Sequence, residues 1–359
     1  MERRLFLQSS AALAVAGVLP WRVAGAQDGW RRYEVVTRVE IAEAKGLSRV
    51  WLPLPLVEET PWQRNLGNQW TGNAVRTQVL DDGKYGAKMV YAEWPADKPV
   101  LELTSRFMTR ERAVDLSRPR KDAETLSAEQ RKFFTAPTEM IPTDGIVRDT
   151  AEDIVKRVRG DVPRARAIYE WIVDNTFRDA KVRGCGWGDI KSMLETRNFG
   201  GKCGDLNAMF VGLARAVGIP ARDVYGLRVA PSIHGYRSLG VSSPNVTRAQ
   251  HCRAEFYAQG HGWVPVDPAD VRKVVLEEPP GQLAVSDPKV VAARQRLFGS
   301  WEMNWLAYNM AHDVVLPHAS GGPKLPYLMY PNGETGGTRL DQLDPDAFKY
   351  TITARELQA

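Results

Sequence analysis

The spacing of apolar residues changes near residue 145, from a period of two to a helical period. Between Arg31 and about Asp115, apolar and polar side chains alternate, as in the segment Tyr33–Ile41. Such alternation is typical of strands with one buried face. Further strands are predicted at Val50–Leu54, Lys88–Trp94 and Val100–Met108. Several short strands separated by turns predict a β-sandwich over residues 27–115.

A segment rich in Arg, Lys, Ser, Thr and Pro, residues 116–144, is predicted to connect this sandwich to a second unit. Helices are then predicted after a cap at Thr143 or Asp144, from Pro163, and after Asp189. Strands first and helices later predict an α+β fold.

The second unit is expected to cover residues 145–279, followed by a C-terminal extension over residues 280–359. The extension carries one predicted helix, Pro288–Leu297, an aromatic segment, and a final strand around Phe348–Ile352. The aromatic segment, Trp301–Asn309, allows two interpretations: rings placed over a substrate cleft, or packing of the extension onto the core, which we favour.

The composition excludes several classes of protein. With 359 residues, 43% hydrophobic and 25% charged, the chain is neither disordered, coiled coil nor collagen-like. The net charge of +5 comes without a block of Lys and Arg, so no nucleic-acid partner is expected. Three cysteines exclude a disulfide framework, and the absence of a CxxC pair argues against zinc. We expect neither a metal nor a cofactor.

The first residues are typical of an export signal. Arg3-Arg4-Leu-Phe-Leu resembles a twin-arginine signal, and an apolar stretch, Ala11–Leu19, leads to a cleavage site at Ala24-Gly25-Ala26. We therefore predict a signal peptide over residues 1–26, recognition by the twin-arginine translocation machinery, and a mature protein that begins near Gln27. The apolar stretch is shorter than the ~20 residues that span a bilayer. The protein is expected to be periplasmic or otherwise secreted, with no stable membrane span after processing.

A cysteine stands at the start of a predicted helix. Gly200 and Gly201 permit a sharp turn before Cys203, and the helix that follows has an apolar stripe formed by Leu206, Met209, Phe210, Leu213, Ala214 and Val217. A thiol in the first helical turn is stabilised as the nucleophilic thiolate by free N–H groups and the helix dipole. The same N–H groups suit the oxyanion of a tetrahedral intermediate. The alternative is that Cys203 is a small buried hydrophobic residue.

A histidine and an aspartate lie on two predicted neighbouring strands. His251 begins one strand, and a second strand, Trp263–Asp267, returns after a glycine-containing turn. His251 and Asp267 can therefore lie side by side. An imidazole beside a carboxylate is the base that a cysteine nucleophile needs.

These three segments resemble the transglutaminase-like superfamily, a branch of the papain-like cysteine enzymes. The resemblance is carried by Gly201-Lys-Cys203-Gly-Asp, by Leu213–Arg222, and by the segment from His251 to Asp267. It implies a helix-borne cysteine packed on an antiparallel sheet that carries the histidine and the aspartate. It also implies that Cys203 is the nucleophile, His251 the general base and Asp267 the orienting acid, acting on a peptide or protein substrate.

One residue departs from the family pattern. The family often has Trp two residues after the histidine, where this chain has Arg253. If Arg253 lines the cleft, it favours an acidic or carboxylate-bearing substrate. The interpretation that we favour is a solvated charge on the strand.

Three functions remain open. The first is a secreted cysteine hydrolase that cleaves amide bonds through a thioester acyl-enzyme. The second is acyl transfer from protein glutamine to an amine, and the third is a non-catalytic binding or assembly module. We favour hydrolysis because water is always present, whereas a site for an amine must be built.

The two other cysteines leave a disulfide open. Cys185 precedes the predicted nucleophile in a Gly-rich stretch, and strand alternation turns Cys252 to the face opposite His251. We therefore expect Cys252 to point away from the triad. The sequence does not decide between a Cys185–Cys252 bridge and two buried thiols.

Overall fold

The computed structural model describes residues 29–95 and 98–358. The predicted signal peptide, residues 1–26, and its cleavage site lie outside the described residues. Within the described residues, no helix combines the length and apolar character that a membrane span requires.

Helices and strands are both abundant in the described chain. The helices are α1 Ala128–Thr135, α2 Gly145–Val155, α3 Asp161–Asn175, α4 Ile190–Thr196, α5 Cys203–Ala216, α6 Pro268–Glu277, α7 Pro288–Arg296 and α8 Pro345–Phe348. The strands that precede α5 are β1 Arg31–Glu40, β2 Ser48–Pro53, β3 Gln63–Gly72, β4 Arg76–Asp81, β5 Lys88–Trp94, β6 Val100–Thr109, β7 Arg112–Ala113, β8 Phe177–Arg178 and β9 Gly200–Gly201. Those that follow are β10 Ala221–Arg228, β11 Gln250–Ala258, β12 Gly262–Val266, β13 Ser300–Trp301, β14 Trp305–Asn309, β15 His312–Val314, β16 Leu325–Tyr327, β17 Asn332–Thr335, β18 Thr338–Arg339 and β19 Tyr350–Leu357.

Two antiparallel sheets contain the N-terminal strands. One has the order β19-β1-β6-β3 and the other the order β18-β17-β2-β5-β4. Apolar side chains from both sheets, such as Val35 and Val90, belong to one hydrophobic core, which continues into α2, α3 and α5. The mixed helix and strand content, with several antiparallel sheets, confirms the predicted class at this level.

The C-terminal residues complete these two sheets. β19 pairs with β1 along nearly its whole length, and β17 pairs with β2. Residues 280–359 are predicted from sequence to be an extension, because local periodicity identifies a strand but not its partner. The predicted domain limits stay predictions, but the first and last strands share a sheet.

A third antiparallel sheet, of order β12-β11-β10-β14, supports the helix that carries Cys203. Every residue of α5 is buried, and the ring of Phe210 lies 6.1 Å from that of Phe256 on β11. The residues that surround the predicted stripe are therefore buried as well, and the polar ones among them, Asp205, Asn207 and Arg215, form hydrogen bonds inside the protein.

Several elements escaped sequence analysis. β3 is largely exposed and polar, so it lacks the alternation by which strands are recognised. α1 lies in the predicted connector and begins with a capping box between Ser127 and Gln130. α6 begins at Pro268, directly after the predicted strand end at Asp267.

A buried carboxylate ties β11 to its neighbours. Glu255 is 1% exposed and accepts a hydrogen bond from Arg222 Nε on β10 at 2.5 Å. Its other oxygen lies 2.5 Å from the Arg112 guanidinium. One carboxylate therefore forms ion pairs with two guanidinium groups.

We expect Glu255→Gln to lower the free energy of unfolding by about 3 kcal/mol, because it leaves two partly buried cations without their counter-ion. Chemical denaturation measures this change. The matched control is Glu102→Gln, whose carboxylate lies 3.5 Å from Arg38 in an exposed pair. It should cost less than about 1 kcal/mol. Equal losses in the two variants would contradict this account of Glu255.

Candidate active site

Cys203 is the first residue of α5, and the preceding loop is fixed by Asp205. The Asp205 carboxylate accepts hydrogen bonds from the N–H groups of Lys202, Trp187 and Gly188 at 2.9–3.0 Å. Gly186 has φ +88°, and a Cβ there would lie 1.8 Å from an Asp205 oxygen. The glycines before the helix thus allow the chain to wrap closely around this carboxylate, which positions Cys203.

His251 and Asp267 meet as the sequence predicts. His251 Nε2 lies 2.8 Å from Asp267 Oδ2, and both side chains are buried. Asp267 is also the N-cap of α6, where its Oδ1 accepts from the Asp270 N–H at 3.0 Å. Because Nε2 faces Asp267, Nδ1 is the ring nitrogen left to interact with the Cys203 thiol, which His251 contacts.

Sequence reasoning missed Asn207, which links the helix of Cys203 to the strand of His251. Its amide donates to the Cys252 carbonyl at 2.8 Å and to Asp267 Oδ1 at 3.3 Å. Asn207 lies one helical turn after Cys203 and thus on the same side of α5, which is a signal that the sequence offers.

Asp270 and Arg228 were missed as well. Asp270 Oδ1 lies 3.4 Å from His251 Nε2 and 2.5 Å from an Arg228 guanidinium nitrogen. Burial disfavours charge on Asp270, but Arg228 and His251 outweigh it and hold the pKa of this carboxyl well below its usual value.

The imidazole of His251 retains its proton at neutral pH. Burial and the nearby Arg228 lower its pKa, but Asp270 and Asp267 outweigh both and raise it to about 9. Hydrogen bonds from the Cys185 and Cys252 thiols, together with His251, hold the pKa of Cys203 well below its ordinary value. The site therefore favours a thiolate–imidazolium pair.

The three cysteines form one cluster of free thiols, in which all three sulfur atoms lie within 4.8 Å of one another. The expectation that Cys252 points away from the triad is wrong. On β11 the side chain of Cys252 does lie on the face opposite to that of His251. Helix α5, however, packs against the face that carries Cys252, and this brings Cys203 close to Cys252. Burial and the neighbouring thiols raise the pKa of Cys252 well above its usual value.

Both interpretations of Arg253 are wrong, because this side chain neither lines the cleft nor reaches solvent. It is 1% exposed and donates to the Glu302 carbonyl at 2.7 Å. Its guanidinium lies 4.6 Å from the ring centroid of Trp305, and Nε is 3.7 Å from Asp267. Arg253 therefore supplies a buried positive charge behind the carboxylate.

The aromatic segment packs into the core, as favoured from sequence. Trp301 and Trp305 are fully buried, and Trp305 Nε1 donates to the His251 carbonyl at 3.0 Å. The segment thus supports the backbone of His251 without covering the cleft.

Two groups of side chains in the described residues have metal-ligand geometry. One is the three cysteines, and the other is His251 with Asp267 and Asp270. In the second group, Arg228 and Arg253 already provide positive charge beside the carboxylates, which disfavours a further cation. The soft thiol donors of the first group suit zinc or Cu(I).

Cys203 and His251 open onto a cavity of about 320 Å³. Its wall also contains Cys185 and the aromatic side chains Tyr330 and Tyr350. The volume is at the lower end for small-molecule sites, which suits one or a few residues of a peptide.

Comparison with known proteins places these residues in a recognised family. Residues 148–268 match the family model described as Transglutaminase-like superfamily. The chain is 38% identical over 331 residues to a protein of Haemophilus influenzae described as uncharacterized, with 88% of each chain covered. A solved structure of a proposed cysteine protease from Cytophaga hutchinsonii aligns with a TM-score of 0.56 at 12% identity, covering 92% of each chain. At this identity the structure shows a shared fold.

We expect iodoacetamide to alkylate Cys203 faster than Cys185 or Cys252, because the pKa values of the latter two are raised well above the usual value. The rate at Cys203 should change little between about pH 6 and 8, whereas a free thiol loses about tenfold per unit below its pKa. Peptide mapping by mass spectrometry measures each site.

The control is His251→Gln, which removes the imidazolium. The pKa of Cys203 should then rise, so its alkylation should fall steeply as the pH decreases. Equal labelling of all three thiols in the folded protein is the result that contradicts a lowered Cys203 pKa.

Proposed function

Because residues 148–268 of this chain belong to the transglutaminase-like superfamily, we propose that the protein is a cysteine enzyme acting on amide bonds of peptides or proteins. The observation that carries the proposal is the buried His251–Asp267 pair beside a cysteine at a helix start. In this proposal Cys203 is the nucleophile, His251 the proton donor and acceptor, and Asp267 the group that orients the imidazole.

The proposed reaction begins with attack of the Cys203 thiolate on the carbonyl carbon of an amide. Among the first-turn N–H groups of α5, Gly204 donates to the Cys185 carbonyl, and Asp205 and Leu206 donate to the Lys202 carbonyl. The Cys203 N–H thus remains to stabilise the oxyanion. The tetrahedral intermediate collapses, the C–N bond breaks, and His251 transfers its proton to the leaving amine.

The resulting thioester is resolved by a second nucleophile. His251 accepts a proton from water as the water attacks the thioester carbonyl. The C–S bond then breaks, which yields a carboxylic acid and restores the thiolate–imidazolium pair. We favour this hydrolysis over transfer to an amine, in which the same step forms an isopeptide bond. A non-catalytic module has no need of a buried ionic network centred on Asp267.

Cys203→Ala should lower the rate of product formation by at least about three orders of magnitude, because a triad works as a unit. The assay is intact-mass spectrometry after incubation with candidate peptides, with and without amine donors. Peptide fragments indicate hydrolysis, and a gain of donor mass indicates transfer. Circular dichroism should show that the variant remains folded. Full activity in folded Cys203→Ala would exclude the mechanism.

We also propose that the protein is exported in folded form, on the strength of Arg3-Arg4-Leu-Phe-Leu and the Ala24-Gly-Ala26 site. Replacing Arg3 and Arg4 by Lys should leave the precursor in the cytoplasm, as measured by cell fractionation and immunoblotting. Arg22→Lys, within the same segment but outside the arginine pair, serves as the control. Normal export of the Arg3/Arg4 variant would favour the general secretory route.

A further inference from the structure

The wall of the cavity beside Cys203 carries one sign of charge. Its titratable side chains, apart from the cysteines, His251 and two tyrosines, are all basic: Arg178, Lys202, Arg228, Arg248 and Lys273. No acidic side chain belongs to this lining in the described part of the chain. The chain as a whole has nearly equal numbers of basic and acidic residues, 48 and 43, so the bias is local.

The basic side chains have partners behind the cavity wall, but too few to neutralise them. Arg178 and Lys273 share one carboxylate, Glu277, which lies 3.7 Å from the Lys273 ammonium. Arg228 is paired with Asp270, which is itself shared with His251.

Two further cations lie at the helix start and on the outer part of the wall. Lys202 immediately precedes the nucleophile and forms no ion pair among the described residues. Arg248 pairs with Asp346 at 2.7 Å, but both side chains are mostly exposed, so solvent screens this pair. The cavity thus keeps an excess of positive charge next to the reactive sulfur.

Lys273 shows that nearby carboxylates do not fully balance the positive charge of the cavity wall. Its side chain is 18% exposed, and burial together with repulsion from Arg228 lowers its pKa despite the attraction of Glu277. An anionic group in the cavity would offset both effects. A partly desolvated anion is bound more strongly here than on an open surface, because the local dielectric constant is lower.

We propose that the cavity binds a substrate with one or more carboxylate groups close to the scissile amide, that is, an acidic peptide. This inference rests on the proposed function, which assigns the cavity to an amide substrate. Lys202 and Lys273 are its specificity-determining residues. Arg253, considered for this role from sequence alone, has no part in it because it does not reach the cavity.

The experiment compares two probes of nearly equal size and different charge. Iodoacetate and iodoacetamide both alkylate thiolates, and only iodoacetate is an anion at neutral pH. The measured quantity is the ratio of their second-order rate constants at Cys203, determined by peptide mapping and divided by the same ratio for a neutral free thiol. We expect this normalised ratio to exceed about 10 at low ionic strength and to approach 1 near 1 M salt.

Lys202→Gln and Lys273→Gln should each lower the normalised ratio by about threefold or more, because each removes a charge that attracts the anionic probe. Lys191→Gln is the control: Lys191 is exposed on α4 and lies 3.8 Å from Glu195, outside the cavity. It should leave the ratio unchanged. Circular dichroism verifies the fold of each variant.

Two negative results are distinguishable. A normalised ratio near 1 that responds neither to salt nor to the two lysine substitutions would overturn the acidic substrate while leaving Cys203 a reactive nucleophile. If Cys203 in the folded protein reacts with both probes no faster than Cys185, the proposed function itself fails, and the substrate inference fails with it.

Discussion

The Asp267 carboxylate is the group on which the arrangement of the site depends. It is fully buried, yet it accepts from His251 on β11, from Asn207 on α5, and from the first turn of α6. A buried charge is tolerated only when its hydrogen-bonding capacity is satisfied, so these three elements are held at fixed distances from one another. The relation between the cysteine helix and the histidine strand follows from this constraint.

The charge of this carboxylate, and that of Asp270, is balanced by arginines that come from different parts of the fold. Arg228 pairs with Asp270, and Arg253 lies behind Asp267 against Trp305. The tryptophan comes from the C-terminal part of the chain and also holds the backbone of His251. The site therefore draws on residues well beyond the segment 148–268 that matches the family.

The parts of the site that sequence predicts are those with local signals. The helix start at Cys203 and the hairpin of His251 follow from glycines and alternation, and Asn207 was detectable by its helical spacing. Arg228 and Trp305 gave no such signal, because their roles depend on contacts distant in sequence. The same distinction holds for the fold. The strand Lys88–Trp94 was predicted with its exact limits, whereas the strands that pair with β1 and β2 were not predicted. The face of Cys252 was correctly assigned, but which element covers that face was not.

The pairing of β1 with β19 also constrains how the protein acquires its fold during synthesis. Val39 stands opposite Tyr350 and Arg32 opposite Leu357, so one edge of β1 is completed by residues that are very distant from it in sequence. Contacts between such distant residues require closure of a very long loop. The first sheet cannot be completed before β19 has been synthesised, so β1 waits for its partner while the intervening residues emerge from the ribosome.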